Sequence, residues 1–132
     1  MTLNSIAGRW ARTALVWFVA TILFGMYMGV TQQFGLSSPH AHMGLLGWVS
    51  AALFAFLHAF AGDDQRGRGA IIHWVAHNLG VATMVTGMFM TARSGPDVWT
   101  VLIPLGGIVV VVATIWLALM FWPRLSGRST AA

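Results

Sequence analysis

The stretch SSPHAHMGLLGWVSAALFAFLHAF, residues 37–60, decides the fold of this chain. It is almost wholly apolar apart from its histidines and a few serines, and it is long enough to cross a hydrocarbon core of about 30 Å as a helix. Ser38 is a suitable N-cap, and Pro39 suits the first helical position, where a missing N–H costs nothing. We therefore predict a membrane-spanning helix over residues 39–61.

Three histidines mark the two ends of this helix. Because a helix turns about 100° and rises about 1.5 Å per residue, His40 and His42 point to roughly opposite sides of one end. His58 follows His40 by five turns and shares its face about 27 Å away. The same face carries small residues, which allow close approach of a neighbouring helix or a flat ligand; these are Gly44, Gly47, Ala51 and Ala55.

The rest of the chain predicts three more helices of the same kind. The 132 residues are 58% hydrophobic and only 8% charged, far from the balance of a soluble protein. Apolar runs of spanning length cover residues 10–30, 70–92 and 98–122. The sequence thus predicts an all-α, four-transmembrane-helix bundle forming one integral membrane domain, 1–132. The net charge of +4 is small and scattered, which argues against nucleic-acid binding.

The arginines predict the orientation in the membrane. One side of the bundle receives all but one of them, namely Arg9, Arg12, Arg66, Arg68, Arg124 and Arg128, while Arg93 falls on the other side. The positive-inside rule then predicts both termini in the cytoplasm. We expect a multi-pass protein of the bacterial inner membrane, with His40, His42 and Arg93 near the outer face and His58, His73 and His77 near the inner face.

The histidines are the candidate site. No predicted span contains a carboxylate, which argues against a proton or cation carrier built on buried acids, and the absence of cysteine excludes covalent haem attachment. Histidine is costly in lipid unless it faces the bundle and finds a partner. In a symmetric ring of subunits, His40 of one chain can approach His42 of the next and form a bis-histidine site. The alternative is that both histidines only hydrogen-bond to backbone or water.

A second cluster is predicted at the inner end. His73 and His77 are spaced i, i+4 and share one helix face with Gly80, Met84 and Gly87. With His58 they form a set that can bind copper or zinc, or hold a second haem. The alternative is a polar cluster at the cytoplasmic interface. Arg93, at the outer end, is the arginine available there to pair with an anionic cofactor.

Two short runs resemble a known family. PHAHMGLLGW at 39–48 and HWVAHNLG at 73–80 are similar to small four-span bacterial proteins related to the catalytic subunit of haem–copper oxidases, subunit I. In that subunit twelve helices form three four-helix arcs, and one helix uses H-x-H to send each histidine to a different haem. The resemblance implies a homotrimer mimicking the twelve-helix subunit, with haem b between subunits bound by His40 and His42 and with Arg93 pairing with haem propionates.

The likeness has limits that shape the functional prediction. The family's copper site needs outer-face histidines that the third and fourth spans here lack. Its characteristic tyrosine cofactor also has no evident counterpart, because Tyr27, the single tyrosine, lies in the first span. We expect a b-type haem protein that transfers electrons, with redox partners that the sequence does not identify. The alternatives are a copper- or zinc-handling membrane protein and a non-catalytic assembly subunit.

Overall fold

The structure is a computed structural model that describes residues 5–60 and 67–125, and these residues are almost entirely helical. The helices are α1 (Ile6–Thr31), α2 (Ser37–His42), a π-helical segment (Met43–Val49), α3 (Ser50–Phe60), α4 (Arg68–Ser94) and α5 (Leu102–Leu125). Because α2, the π-helical segment and α3 run on without a break, the described chain contains four long helices. The all-α prediction is confirmed. Residues 61–66 and 126–132 lie outside the described residues; they include the predicted end of the second span at Ala61 and two of the arginines used for the orientation, Arg66 and Arg128.

Three of the four long helices are long and apolar enough to cross a membrane. They are Ile6–Thr31, Phe34–Phe60 and Val98–Pro123. The helix α4 is as long as these three but less apolar, because it carries two histidines, an asparagine and several threonines and glycines. Most side chains of the three apolar helices point outwards, so these helices expose an apolar surface suited to lipid or to another copy.

The second long helix differs from the sequence prediction in two ways. It begins at Ser37 rather than at Pro39, so Ser38 lies within the helix and does not cap it. Over Met43–Val49 the helix is π-helical rather than α-helical. This segment packs closely on α1. A Cβ atom on Gly47 would come within 2.6 Å of Cδ2 of Trp17, so the backbone of this segment lies directly against an indole ring.

The small-residue face of this helix is buried against α1, as predicted. Gly47, Ala51, Ala55 and His58 are all buried. Ala51 and Ala55 pack in one apolar cluster with Trp10 and Ala14 of α1. Small side chains at these positions therefore bring the two helices close together.

Glycines also set the contact between α4 and α5. A Cβ atom on Gly106 would collide with the backbone N of Met84, and one on Gly87 would lie 2.8 Å from Cβ of Leu102. Such contacts leave no room for any larger residue. The turn between the two helices uses Gly95 at φ +82°, a conformation that glycine adopts readily.

Two tryptophan hydrogen bonds tie α1 to α4. Trp17 Nε1 donates to Asn78 Oδ1 at 2.9 Å, and Trp74 Nε1 donates to Thr13 Oγ1 at 3.0 Å. Asn78 in turn donates from Nδ2 to the Trp74 carbonyl at 2.8 Å. Inside an apolar bundle such bonds fix the register of neighbouring helices, because an unpaired polar group there is costly.

Candidate haem and metal site

His42 is held by the backbone of its own helix. Its Nδ1 lies 2.9 Å from the carbonyl oxygen of Ser38. A carbonyl can only accept, so Nδ1 carries the proton that is donated, and in the neutral ring Nε2 carries the lone pair. Histidines that bind metal through one nitrogen almost always donate the other N–H in this way, which fixes both tautomer and ring orientation.

An apolar groove opens beside His42. It has a volume of about 400 Å³ and runs between the second long helix and α5. His42 is the one histidine in its wall; the other lining residues are Leu46, Met84, Gly107, Val110, Val111, Thr114 and Ile115. A mostly apolar groove with one well-oriented polar group is the usual form of a small-molecule or cofactor site.

His40 faces a different helix from His42. Its ring lies against α1, where a Cβ atom on Gly25 would come within 2.9 Å of His40 Cε1. The ring centroid lies 6.0 Å from that of Phe24. Nδ1 of His40 is buried and has no hydrogen-bond partner within the described part of the chain. His40 and His42 therefore point to separate surfaces, as their spacing predicts.

Arg93 lies at the same end of the bundle as His40 and His42, on the His40 side. Its Nη1 donates to the Tyr27 hydroxyl at 3.5 Å, and its guanidinium carbon lies 5.6 Å from the centroid of Phe89. Phe24 joins this group to His40, because its ring centroid is 5.8 Å from that of Phe89. One long hydrogen bond leaves most of the five guanidinium N–H donors open to an anion.

An open cavity borders Arg93. Its volume is about 320 Å³, and its wall consists of Gln33, Gly35, Leu36, Ala92 and Arg93. Asp97, the nearest acid along the chain, instead accepts from Ser94 Oγ at 3.0 Å and from the Trp99 backbone N–H at 2.9 Å. Arg93 is thus an exposed cation whose charge no described carboxylate neutralises.

His73 and His77 of α4 are buried inside the bundle. Each is about 1% exposed. The Trp10 ring centroid lies 5.1 Å from that of His73 and 5.6 Å from that of His77, and Phe54 contacts both rings edge-on at 5.2 and 5.0 Å. Gly80, Met84 and Gly87 continue the same buried face of α4, as the i, i+4 spacing predicts. His58, also buried, packs edge-on against Phe121.

The π-helical segment provides the hydrogen bond of His77. Nε2 of His77 donates to the carbonyl oxygen of Leu46 at 3.0 Å, so Nδ1 carries the lone pair in the neutral ring. This contact joins His77 of α4 to the helix that carries His42. Turns of this π type occur frequently at functional sites.

The histidines do not form one shared site. Across residues 5–60 and 67–125, no three histidine or acidic side chains are arranged to hold one metal ion. The predicted grouping of His58, His73 and His77 around a single ion therefore gains no direct support from the geometry, although all three side chains are buried close to one another.

Sequence reasoning missed the role of Trp10. A tryptophan near the start of the first span is typical of an interfacial anchor, but the side chain of Trp10 is fully buried between His73, His77 and Phe54. The i, i+3, i+4 pattern of Trp10 with Ala7 and Ala14, all three of them buried, could have indicated an inward face.

Comparison with known proteins adds no assignment. No family model, no curated protein and no solved structure matches this chain significantly.

Proposed function

We propose that this chain is a membrane haem protein that binds iron through Nε2 of His42 and transfers electrons. The observation that carries the proposal is the hydrogen bond from His42 Nδ1 to the Ser38 carbonyl, beside an apolar groove. This bond occupies Nδ1 of His42 and leaves Nε2, with its lone pair, free to bind iron. Haem b fits a chain without cysteine, because it needs no covalent attachment.

The second iron ligand, in this proposal, is His40 of a neighbouring copy. Within one chain the two rings face different helices, so one ion cannot take both. The groove of about 400 Å³ lies near the lower end of ligand-binding cavities and would cover one face of a porphyrin, so a second copy would cover the other. A closed ring of copies, a homotrimer in the proposed form, then has one such site at every interface.

The remaining groups have supporting roles. Arg93 would pair with the carboxylates of the haem, because charge-assisted hydrogen bonds from arginine to carboxylate are strong and its donors are largely open. Two imidazole ligands leave iron without an open position, which suits electron transfer rather than gas binding. The haem, when bound, supplies the electron-carrying centre, while the chain orients it and keeps water away from it.

The proposal extends to the placement of the chain in the membrane. We take α4 as a fourth span, because it has 27 residues and its polar side chains His73, His77 and Asn78 turn towards the bundle. The arginine distribution favours both termini in the cytoplasm of a bacterium. Labelling of single cysteines placed at either end of α4, from each side of the membrane, tests this topology.

Absorption spectra of purified variants test the haem ligand. We expect His42→Ala to lose the sharp α and β bands that the reduced wild-type protein shows. Thr114→Val is the matched control, because Thr114 lines the same groove and bonds only to the Val110 carbonyl of its own helix. Equal spectra for wild type and His42→Ala would refute the assignment of this ligand.

Mixed assembly tests whether the site lies between copies. Chains with His40→Ala and chains with His42→Ala each lack one ligand and should form no bis-histidine site alone. Co-expressed in a ring of three, they leave one intact interface in every mixed ring, so about a quarter of the wild-type signal returns at equal expression. No recovery in demonstrably mixed rings would contradict the interfacial site.

A second candidate function is copper or zinc binding. It is favoured by the buried ring nitrogens of His73 and His77, which are ligands that copper and zinc accept. Elemental analysis of the purified protein separates the two candidates. Iron near one atom per chain supports the haem protein, whereas copper or zinc without iron supports metal handling.

A further inference from the structure

Four buried aromatic side chains pack against one another away from His40 and His42. We call them the inner cluster: Trp10, Phe54, His73 and His77. None is more than 8% exposed, and their rings lie within 5.0 to 6.1 Å of one another, centroid to centroid. They come from α1, α3 and α4, so three helices must pack correctly to form this cluster. The proposed haem site at His42 uses none of these residues.

The inner cluster holds polar nitrogens without hydrogen bonds. Both ring nitrogens of His73, Nδ1 of His77 and Nε1 of Trp10 are buried and find no partner in the part of the chain that the structure describes. Buried polar groups in proteins are nearly always paired, because each unpaired group loses its hydration without compensation. Several such atoms within one cluster of contacting rings indicate a bound species that pairs with them.

The tautomer of His77 selects the class of occupant. Its Nε2–H already donates to the Leu46 carbonyl, so Nδ1 offers a lone pair and no proton. An occupant at Nδ1 must therefore be an electron-pair acceptor or a hydrogen-bond donor. A backbone hydrogen bond on one nitrogen with a bare lone pair on the other is the arrangement of a metal-binding histidine.

Charge and ring spacing favour a singly charged, soft metal ion. The two imidazoles are neutral ligands, and Asp97, the one carboxylate of the described residues, lies in the turn at the far end of α4. A doubly charged ion would remain uncompensated in this apolar cluster, which is far costlier than a single charge. The ring centroids of His73 and His77 are 6.1 Å apart. Two imidazoles at about 2.0 Å from one ion have centroids about 6.3 Å apart when they bind it from opposite sides.

We propose that His73 and His77 bind one Cu(I) ion inside the inner cluster. Cu(I) accepts two nitrogen ligands in a nearly linear arrangement and needs no third ligand. The adjacent Trp10 ring favours a cation beside it. The aromatic rings exclude water and so protect the reduced ion. This site is separate from the haem site, and either one can fail without the other.

Copper binding by the purified full-length protein tests the proposal. The protein in detergent, as isolated with its haem, is titrated with Cu(I) under ascorbate and without oxygen, against a chromophoric Cu(I) chelator. We expect one copper per chain in the wild type. His73→Gln and His77→Gln should each weaken binding by more than the 10- to 100-fold typical of losing an outer-shell partner. Thr31→Ala, which removes only a hydroxyl bonded to the Tyr27 carbonyl at the end of α1 far from Trp10, should bind copper like the wild type.

X-ray absorption at the copper edge of the wild-type protein adds a test that does not depend on the folding of any variant. We expect two nitrogen ligands at about 2.0 Å and no sulfur. Absence of copper uptake, or copper that stays bound in both His73→Gln and His77→Gln while both remain folded, would overturn the proposal. So would a density map that shows ordered water in the inner cluster after copper loading.

Discussion

Replacing Gly25 by alanine should displace His40 without removing any histidine. A Cβ atom at Gly25 would lie 2.9 Å from Cε1 of His40, whereas ordinary van der Waals contacts begin at 3.4 Å. The imidazole must therefore shift, by about 0.5 Å to restore ordinary contact, which is about the tolerance of a preorganised binding site. Because the ring also packs on Phe24, it cannot simply retreat along α1.

Gly29→Ala provides the matched control. Gly29 lies one turn further along the same helix, and nothing lies within 4 Å of a Cβ atom built there. Both substitutions should stabilise the helix by up to about 1 kcal/mol, because alanine has a higher helix propensity than glycine. At Gly25 the displacement of the His40 ring opposes this gain, so Gly25→Ala should melt below Gly29→Ala, which should melt at or above the wild-type temperature.

The assay is haem content per chain, from the absorbance of the reduced protein, together with thermal unfolding in detergent. We expect Gly25→Ala to lose most of its haem while keeping its helical content, and Gly29→Ala to keep both. Full haem occupancy in Gly25→Ala, with an unchanged spectrum, would show that the position of His40 against α1 does not control the iron site.

Three further perturbations follow from the packing and the charges. Gly106→Ala should lower stability by about 1–3 kcal/mol in thermal unfolding, because its Cβ atom meets the backbone of Met84; an unchanged melting temperature would contradict the close contact. Trp17→Phe and Asn78→Ala should each lower the free energy of unfolding by about 0.5–1.5 kcal/mol or more. The double variant should lose less than the sum of the two, because both substitutions break the same hydrogen bond; additive losses would count against that bond. Arg93→Gln should weaken haem retention while Arg93→Lys retains part of it, measured by transfer of haem to an acceptor protein; equal retention in all three proteins would exclude a propionate partner at this position.

The long helices could be predicted because apolar runs of about 20 residues are a local property of the sequence, although α4 is less apolar than the other three. The α4 face from His73 through Gly80 to Gly87 is buried as its spacing indicates. The π-helical segment has no signal in the local pattern, and the contact of its Gly47 with Trp17 joins residues 30 positions apart in the chain. Local patterns carry no information about such a contact.

For the candidate site, only the directions in which the histidine side chains point could be predicted from the sequence. The two-residue spacing of His40 and His42 predicts that their rings diverge, but the surfaces they meet depend on how α1 and α5 pack. Trp10 shows the same limit. Position near a span end suggested an interfacial anchor, whereas helix packing buries it against His73 and His77.

The most direct measurement is the reduced-minus-oxidised absorption spectrum of the purified wild-type protein, taken with its iron-to-chain ratio. The proposed function predicts sharp α and β bands and about one iron per chain, because every His42 then has one iron. A fully folded, colourless protein without iron would contradict it.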